Sequence, residues 1–329
     1  MRRILVTGGA GYIGSHTCSA LARANFEPLT FDNLSTGHRW AVKWGPLIES
    51  DLRDPRAIRS AFETYAPDGV IHFAGSAYVG ESMMQPRGYF RNNVESTLNL
   101  LDAMLDCGVD RIVFSSSCAT YGLPKVLPIQ ESHPQHPINP YGESKLFIER
   151  ALWWYSQAYR LRSVALRYFN AAGADPDGEL GEAHEPETHL IPLAIAAALR
   201  SGPPLLLCGT DYSTPDGTCV RDYIHVSDLA AAHVASLRAL LNGHIADFTA
   251  LNLGTGIGHS VLDVLRCVAE VTGQPVPNQA CPRRPGDPPV LVADSLAQSV
   301  IGWSPAHCAL PDIVRSAYLW HQEHYEVPF

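Results

Sequence analysis

Short apolar runs bounded by turn residues alternate along the first 170 residues with longer segments in which apolar positions recur every three or four residues. The short runs predict β-strands at residues 3–7, 28–32, 46–50, 69–73, 111–116 and 162–168. The longer segments predict helices at residues 12–24, 54–65, 89–106 and 141–160. Parallel strands need a long crossover connection, so this alternation is typical of βαβ units. The pattern therefore predicts an α/β fold with a doubly wound parallel sheet.

Beyond residue 170 the alternation is interrupted by loops rich in Pro and Gly at residues 173–186, 209–217 and 275–289. Helical periodicity predicts further helices near residues 190–200, 227–241, 260–272 and 310–323. Residues 223–226 and 251–253 are predicted strands that either belong to this part or return to the main sheet. We expect a main domain at residues 1–170 and a smaller C-terminal α/β lobe at residues 171–329, with some segments returning to the main sheet.

Composition narrows the class of protein. Of the 329 residues, 46% are hydrophobic and 17% are charged, which is typical of a soluble globular protein. No apolar run approaches the roughly 18 residues that a membrane span needs, and the stretch that follows Met1 is too short for a signal peptide. A formal net charge of −9 disfavours nucleic-acid binding. The sequence thus predicts a cytoplasmic protein with no membrane or nucleic-acid partner.

Cysteine and histidine patterns give no sign of cross-links or metals. The 8 cysteines are scattered without any Cys-x-x-Cys pair, which favours reduced thiols over disulfides or a zinc site. The 14 histidines show no paired ligand spacing on a recognisable helix, so they are expected to be surface or structural residues. No metal site is predicted.

A glycine-rich turn follows the first predicted strand and leads directly into the first helix. Gly9, Gly11 and Gly14 match the dinucleotide fingerprint, while Gly8, Gly11 and Gly14 have the three-residue spacing of its short-chain dehydrogenase variant. Glycines at these points permit a tight turn and a close approach of pyrophosphate to the backbone at the helix N-terminus. This position predicts a Rossmann-type dinucleotide-binding domain.

Acidic residues after the second and third strands indicate whether the domain binds NAD or NADP. Asp32 lies 18 residues after Gly14, where a carboxylate accepts hydrogen bonds from the adenosine ribose and repels a 2′-phosphate. This favours NAD over NADP, although His38 and Arg39 lie nearby and Asp32 could simply cap a turn. Asp51 is placed either for an adenine contact or as an ordinary loop residue.

Tyr141 and Lys145 lie four residues apart at the start of a predicted helix and therefore share one face. A tyrosine hydroxyl titrates near 10, so it must lose roughly three pKa units, about 4 kcal/mol, to act as a base near neutrality. A neighbouring ammonium and a positive nicotinamide ring can together supply that energy in a partly dry site. The preceding strand ends in Ser115-Ser116-Ser117, which supports this interpretation.

With these motifs the chain resembles the extended short-chain dehydrogenases/reductases and, among them, the UDP-glucose 4-epimerase family. The resemblance covers nearly the whole chain. It is carried by residues 6–16, His72-Phe73-Ala74-Gly75, residues 139–145, Arg167-Tyr168-Phe169-Asn170, residues 216–226 and residues 283–287.

The resemblance implies a role for each matching residue. Tyr141 is the catalytic base, Lys145 tunes it and holds the nicotinamide ribose, and Ser117 hydrogen-bonds the 4-oxygen of the sugar. The residues implied to bind NAD are Gly8, Gly11, Tyr12, Ile13, Gly14, Asp32, Asn33, Asp51, Leu52, Phe73, Ala74, Gly75, Asn92, Tyr141, Lys145 and Phe169. Those implied to bind the UDP-sugar are Ser117, Tyr141, Asn170, His189, Arg221, Arg284, Asp287 and Leu291. Arg221 and Arg284 suit a diphosphate, because guanidinium groups offer planar, bidentate donors.

Three positions bear on how closely the chain follows the family. Ala77 replaces a frequent lysine, so one contact to NAD is weaker or made differently. His189 replaces a frequent asparagine, which puts its role in doubt. Leu291 stands where the family has a residue facing the sugar, and its intermediate size predicts use of UDP-glucose and UDP-galactose with poorer use of N-acetylated sugars.

The implied reaction interconverts UDP-glucose and UDP-galactose by transient NAD-dependent oxidation at C4, rotation of the 4-keto sugar and hydride return. The alternatives are an epimerase acting mainly on UDP-N-acetylhexosamines or UDP-pentoses, and a nucleotide-sugar 4,6-dehydratase or decarboxylase. Cys118 and Ala119 argue against the latter, since they cannot transfer the protons of an elimination. A non-catalytic NAD-binding protein is disfavoured because Tyr141 and Lys145 are both present.

The resemblance also implies a homodimer that associates through the helices at residues 89–106 and 141–160. Trp153 and Trp154 lie on the second of these helices and are interpreted either as interface or as core residues.

Overall fold

The computed structural model describes residues 1–284 and 286–324. Its strands are β1 (Arg2–Thr7), β2 (Phe26–Asp32), β3 (Leu47–Glu49), β4 (Gly69–His72), β5 (Arg111–Ser117), β6 (Arg162–Tyr168), β7 (Asn170–Ala172), β8 (Leu205–Cys208), β9 (Val220–His225), β10 (Phe248–Leu253), β11 (Gly258–Ser260), β12 (Asn278–Cys281) and β13 (Val290–Leu291). Its α-helices are α1 (Tyr12–Arg23), α2 (Pro55–Tyr65), α3 (Val79–Met84), α4 (Pro86–Tyr89), α5 (Ser96–Asp106), α6 (Pro140–Tyr159), α7 (Leu190–Ala198), α8 (Val226–Leu241), α9 (Val261–Thr272), α10 (Ala297–Ile301) and α11 (Leu310–His324).

Seven strands form the main sheet in the order β3-β2-β1-β4-β5-β6-β10, and every pair in it is parallel. The strand order reverses between β1 and β4, so their loops diverge to opposite sides and open a crevice at the carboxyl edge. This confirms the predicted doubly wound, Rossmann-type α/β fold.

Helices cover both faces of the sheet, and alternate residues of each strand serve the two cores. In β1, Ile4 and Val6 pack on one side against α1 and α8, while Leu5 packs on the other side against α2, α5 and α6. A strand that is buried on both faces has no solvent-exposed face and needs no alternating polar residues. This explains the continuous apolar runs in the sequence.

The chain beyond residue 170 builds a third core from α7, α9 and α11. Strands β7, β9, β11 and β13 form one small sheet there, and β8 pairs with β12 in another. The predicted strand at residues 251–253 lies in β10, at the edge of the main sheet beside β6, whereas the one at residues 223–226 lies largely in β9, in the small sheet. None of the described helices is long and apolar enough to cross a membrane.

The single helix predicted at residues 89–106 is interrupted by a π-helical segment at Phe90–Glu95. The wider turn buries Asn93, whose amide nitrogen donates to Ser144 Oγ on α6 (2.9 Å) and whose oxygen accepts from the Ser76 backbone N–H (2.8 Å). Such insertions are frequent at functional sites and leave no mark on hydrophobic periodicity. Asn93 thus ties the loop after β4 to α6.

Gly14, in the first turn of α1, lies against the carbonyl of Gly8. A Cβ atom at residue 14 would lie 2.1 Å from Gly8 O, which is a backbone atom with little freedom to move. Gly8 is itself held, because its N–H donates to Phe31 O (2.9 Å) and its φ is +72°. Glycine at position 14 therefore sets how closely α1 approaches β1.

We expect Gly14→Ala to lower the free energy of unfolding by about 1–3 kcal/mol or more, because α1 must shift to relieve the clash. Gly80→Ala is the matched control, since Gly80 lies in α3 and a Cβ added there would have nothing within 4 Å. That variant should be neutral or slightly stabilising. Urea unfolding of both variants checks this, and equal midpoints would contradict the close contact.

Five of the described histidines are buried, namely His16, His72, His225, His233 and His321. His72 lies between two hydroxyls, with Nδ1 2.6 Å from Thr7 Oγ1 and Nε2 2.8 Å from Thr97 Oγ1. Burial, and secondarily the charge of Lys145, lowers the pKa of His72 to about 3. Between about pH 3 and pH 6.5 the imidazole is therefore neutral in the folded protein and protonated in the unfolded chain.

Because the pKa of His72 is lower in the folded state, the unfolded chain binds more protons below about pH 6.5, and the fold loses stability as pH falls from about 6.5 towards 3. Between pH 5.5 and 4 one extra proton binds on unfolding, which corresponds to about 1.4 kcal/mol per pH unit. His72→Gln should reduce the slope of unfolding free energy against pH by about that amount, whereas His244→Gln, at an exposed position, should not. Identical slopes in wild type and His72→Gln would contradict this account.

Candidate active site

The carboxyl ends of β1, β4, β5 and β6 meet at one edge of the main sheet. The glycine turn follows β1, Phe73 follows β4, and Ser117 ends β5. In an open parallel sheet this edge is where ligands bind, at the point where the strand order reverses.

The start of α1 suits an anion. Gly11 precedes the helix without a side-chain cap, and the first turn carries no acidic residue. Its backbone N–H groups are therefore not used by a capping side chain and point along the positive end of the helix. The Gly8 turn packs so closely on the loop after β4 that a Cβ there would lie 2.6 Å from Ala74 N. The predicted pyrophosphate site at Gly8, Gly11 and Gly14 thus fits a dinucleotide.

Tyr12 and Ile13 are the first two residues of α1. The Tyr12 hydroxyl donates to Gly173 O (2.6 Å), and Ile13 packs against the core beneath the sheet. The backbone N–H groups of both residues lie at the N-terminus of α1. This is where the resemblance implies a contact to NAD.

Asp32 ends β2 and is buried. Its two oxygens accept backbone N–H groups of Ala10 (3.0 Å) and Leu34 (2.8 Å), and burial raises the pKa of the carboxyl. Asp32 therefore organises the glycine turn, and each oxygen retains a further lone pair for a ribose hydroxyl. Arg39 forms an ion pair with Glu49. Its guanidinium is therefore not free to bind the 2′-phosphate of NADP.

Asn33 and Asp51 come together from the loops after β2 and β3. Asn33 Nδ2 donates to Asp51 Oδ2 (2.8 Å), and hydrogen bonds from Arg53 hold the pKa of Asp51 well below its usual range. The Leu52 side chain is buried in the core, and its carbonyl oxygen accepts from Asn99 Nδ2 (3.0 Å). If Leu52 contacts NAD, it therefore does so through its backbone atoms.

The loop after β4 contains Phe73, Ala74 and Gly75, which the resemblance assigns to NAD binding. The Phe73 ring lies 4.6 Å from that of His233, and Ala74 N donates to Thr7 O at the end of β1 (3.1 Å). Asn92 reaches the same loop, with Nδ2 3.0 Å from Ser76 Oγ. The loop is thus fixed from both sides.

Helix α6 carries the predicted catalytic pair, Tyr141 and Lys145. It begins at Pro140, and Asn139 caps it by accepting the Gly142 N–H (2.8 Å). Tyr141 and Lys145 are both buried on the face towards β5. Lys145 Nζ donates to Ser115 O (2.8 Å) and lies 5.8 Å from the centre of the Tyr141 ring.

Ser117 links the end of β5 to Tyr141. Its Oγ accepts the Ala119 N–H (3.1 Å), which leaves its hydroxyl proton for the hydrogen bond that it makes with Tyr141. That bond favours the phenolate. Burial nevertheless dominates and raises the pKa of Tyr141 well above its usual value, while it lowers the pKa of Lys145 to about 8. The protein's own side chains therefore do not lower the pKa of Tyr141 to near neutral pH. The positive ring of a bound cofactor is expected to supply the remaining shift.

A buried ion pair beneath the catalytic pair was not visible in the sequence. Glu149, two turns after Tyr141, accepts from Arg167 of β6 at Nε (3.0 Å) and Nη2 (2.6 Å), and Ser116 Oγ also donates to it (2.5 Å). Both side chains are about 95% or more buried. Arg167 also donates to the Tyr121 hydroxyl (2.9 Å), so α6 is joined to β5, β6 and the turn after β5.

The residues predicted to bind the nucleotide-sugar lie on the small sheet and its loops. Asn170 begins β7 next to β9, which carries Arg221. Arg221 is buried, donates to Pro288 O (2.7 Å) and forms an ion pair with Asp287. Asp287 also lies 3.5 Å from Arg284, whose side chain is 67% exposed. One guanidinium is thus fixed by the protein, and the other faces solvent.

Leu291 on β13 is buried beside Arg221 and packs in a small apolar cluster with Cys118, Tyr121 and Phe169. Since Cys118 follows Ser117 directly, this cluster adjoins the catalytic pair. Leu291 and Phe169 therefore lie next to the predicted sugar site.

His189, whose role the sequence leaves in doubt, precedes α7 and belongs to a cluster with Glu182, His184 and Glu187. Although burial opposes it, the two carboxylates raise the pKa of His184 to about 9 and that of His189 to about 10. The Tyr78 ring, next to Ala77, lies 6.3 Å from both imidazoles. His184 and His189 are separated by four residues, a spacing that metal-binding histidine pairs also have, but they lie in a loop and not on a recognisable helix, so the sequence did not single them out.

Comparison with known proteins agrees with this geometry. Residues 4–254 match the model of the NAD dependent epimerase/dehydratase family. The chain is 51% identical over 319 residues to a UDP-glucose 4-epimerase of Rhizobium leguminosarum bv. trifolii, with 97% of each chain covered.

Solved structures show the same fold. The UDP-glucose 4-epimerase of Brucella ovis in complex with NAD matches with a TM-score of 0.94 and 51% identity, covering 97% of this chain and 98% of that one. The enzyme of Bifidobacterium longum in complex with NAD+ and UDP matches with a TM-score of 0.92 and 38% identity, covering 98% of both chains. The chain therefore belongs to the UDP-glucose 4-epimerase family, within the NAD dependent epimerase/dehydratase family.

Proposed function

We propose that this protein is an NAD-dependent isomerase that interconverts UDP-glucose and UDP-galactose by epimerisation at C4. The observation that carries the proposal is the Tyr141 hydroxyl, buried against Ser117 and beside Lys145 at the carboxyl edge of the sheet.

The fold provides for tight NAD binding. The uncapped start of α1 would hold the pyrophosphate, Asp32 the adenosine ribose, and Lys145 the nicotinamide ribose. When bound, NAD supplies an acceptor for hydride from C4 and a donor that returns it to the opposite face of the sugar.

Proton transfer falls to the chain's own residues. Tyr141 Oη takes the proton of the 4-hydroxyl during oxidation and gives it back during reduction. The single proton of the Ser117 hydroxyl stabilises the phenolate in the free protein and is donated to the 4-oxygen when the sugar is bound, and the Lys145 ammonium adds a positive charge nearby. Burial of all three excludes water, which strengthens each of these interactions.

The nucleotide-sugar is held by the small sheet and its loops. The exposed Arg284 guanidinium offers donors to the diphosphate, while Arg221, already fixed by Asp287, offers a second positive charge. Asn170, paired with Tyr223 of β9, and His189, which precedes α7, are the further residues proposed to contact the nucleotide-sugar. Leu291 gives the sugar an apolar neighbour, which supports the glucose and galactose derivatives as main substrates with weaker use of N-acetylated sugars or pentoses.

An elimination like that of the 4,6-dehydratases finds no support here. Cys118 occupies one of the two positions that would transfer its protons, and burial raises the pKa of this thiol to about 12, so it stays protonated. Ala119, at the other position, has no acidic group.

We further propose that residues 1–170 form the NAD-binding domain and residues 171–329 mainly the nucleotide-sugar lobe, with β10 in the main sheet.

Trp153 (43% exposed) and Trp154 (64% exposed) lie on the outer face of α6, which excludes them from the core and supports a homodimer through α5 and α6. All eight cysteines are free, in keeping with a cytoplasmic location.

Tyr141→Phe should lower the turnover number for UDP-galactose by about a hundredfold to ten-thousandfold, because it removes the proton acceptor. Binding of UDP should change little, since the diphosphate contacts lie elsewhere. Tyr159→Phe, on the exposed end of the same helix, is the matched control and should retain full turnover. Near-normal turnover in Tyr141→Phe would show that another group is the base.

A further inference from the structure

Four ligand-bearing side chains converge in the segment between β7 and α7, in the pattern Glu182-x-His184-x-x-Glu187-x-His189. His189 Nδ1 lies 2.8 Å from Glu182 Oε1 and 3.0 Å from Glu187 Oε1. His184 Nδ1 lies 3.2 Å from Glu182 Oε1 and 3.6 Å from Glu187 Oε2. One ligand atom from each of the four residues lies within 4.8 Å of all the others.

These separations fit the edges of a tetrahedral zinc site. Zinc binds imidazole nitrogen and carboxylate oxygen at about 2.0–2.2 Å, so two ligand atoms of a tetrahedral site lie about 3.3–3.6 Å apart. Three of the four nitrogen–oxygen separations, 2.8, 3.0 and 3.2 Å, are shorter than that spacing, and the fourth, 3.6 Å to the second oxygen of Glu187, lies at its upper end. A small inward or outward movement of the side chains brings all four atoms to coordinating distance.

Burial distinguishes this cluster from an acidic patch on the surface. The side chains of Glu182 and Glu187 are 5% and 15% exposed. Glu182 Oε1 and His184 Nδ1 are fully buried, and neither makes a hydrogen bond of good geometry with the described residues. Two buried polar atoms that face each other without a proper hydrogen bond are better explained by an atom between them.

The charges agree with a divalent cation. Two carboxylates with little exposure require two positive charges nearby. Two protonated imidazoles supply these charges without a metal, and one divalent ion that displaces their protons supplies the same charge. Imidazole together with carboxylate suits zinc, whereas Mg²⁺ and Ca²⁺ prefer oxygen ligands alone.

We propose that Glu182, His184, Glu187 and His189 bind one Zn²⁺ ion in a tetrahedral site. Four protein ligands leave no open position, so the ion is structural and takes no part in the sugar chemistry. The imidazole of His184 lies edge-on to Tyr12, the first residue of α1, at 6.2 Å between ring centres. The ion therefore fixes residues 182–189 against the start of the NAD-binding helix.

Elemental analysis of the full chain tests the site. The protein is purified without a polyhistidine tag, incubated with ZnCl2 and desalted. We expect about one zinc per chain in the wild type and less than about a tenth of that in Glu187→Gln and His184→Ala. His244→Ala removes an exposed histidine outside the cluster and should keep full zinc content. Wild-type protein without zinc, or variants with unchanged zinc, would overturn the proposal.

Cobalt substitution tests the geometry in the wild type and does not depend on whether the variants fold. Protein stripped with a chelator and titrated with Co²⁺ should develop the intense visible absorption of tetrahedral cobalt, with an end point near one ion per chain. A weak spectrum typical of octahedral cobalt, or no uptake, would contradict the site. Neither experiment measures epimerisation, so failure of the metal site and failure of the proposed function remain distinguishable.

Discussion

The buried ion pair between Glu149 and Arg167 is the interaction on which the catalytic arrangement depends. Glu149 lies on the same face of α6 as Lys145 and Tyr141, at successive steps of four residues. Because Arg167 and Ser116 hold its carboxylate from two adjacent strands, α6 can neither rotate nor slide without breaking a fully desolvated pair. Loss of one partner of such a pair costs about 3–5 kcal/mol, which far exceeds the energy of any single contact at Tyr141.

Burial then sets the proton chemistry. It makes ionisation of Tyr141 costly and lowers the pKa of Lys145 to about 8, so at neutral pH the phenol is uncharged while Lys145 remains mostly protonated. The Ser117 hydroxyl partly offsets this for Tyr141, and a positively charged cofactor ring beside the phenol offsets the rest. The enzyme is therefore poised to use Tyr141 as a base when the oxidised cofactor is present, which couples the proton step to the redox state of the site.

Much of this architecture could be predicted from the sequence, since apolar strands buried on both faces and the Gly8, Gly11 and Gly14 spacing are local signals. The first six strands and the main helices lie within a few residues of their predicted bounds. Contacts between residues that are distant in the sequence could not be predicted, because they produce no local sequence signal. The partner of Glu149 is 18 positions away on another element, and the π-helical turn that buries Asn93 does not disturb the apolar periodicity. The convergence of His184 and His189 on two carboxylates likewise follows from how one loop folds.

The central claim is that oxidation and reduction occur at C4 of one sugar within a closed site. It is tested most directly with UDP-galactose that carries deuterium at C4, incubated in ordinary water with the NAD-containing protein. The account predicts UDP-glucose that retains the deuterium at C4, read by proton NMR, because the same hydride returns to the carbon it left. UDP-glucose with solvent hydrogen at C4 would contradict the account, as it would show that the bond is broken by proton exchange with water.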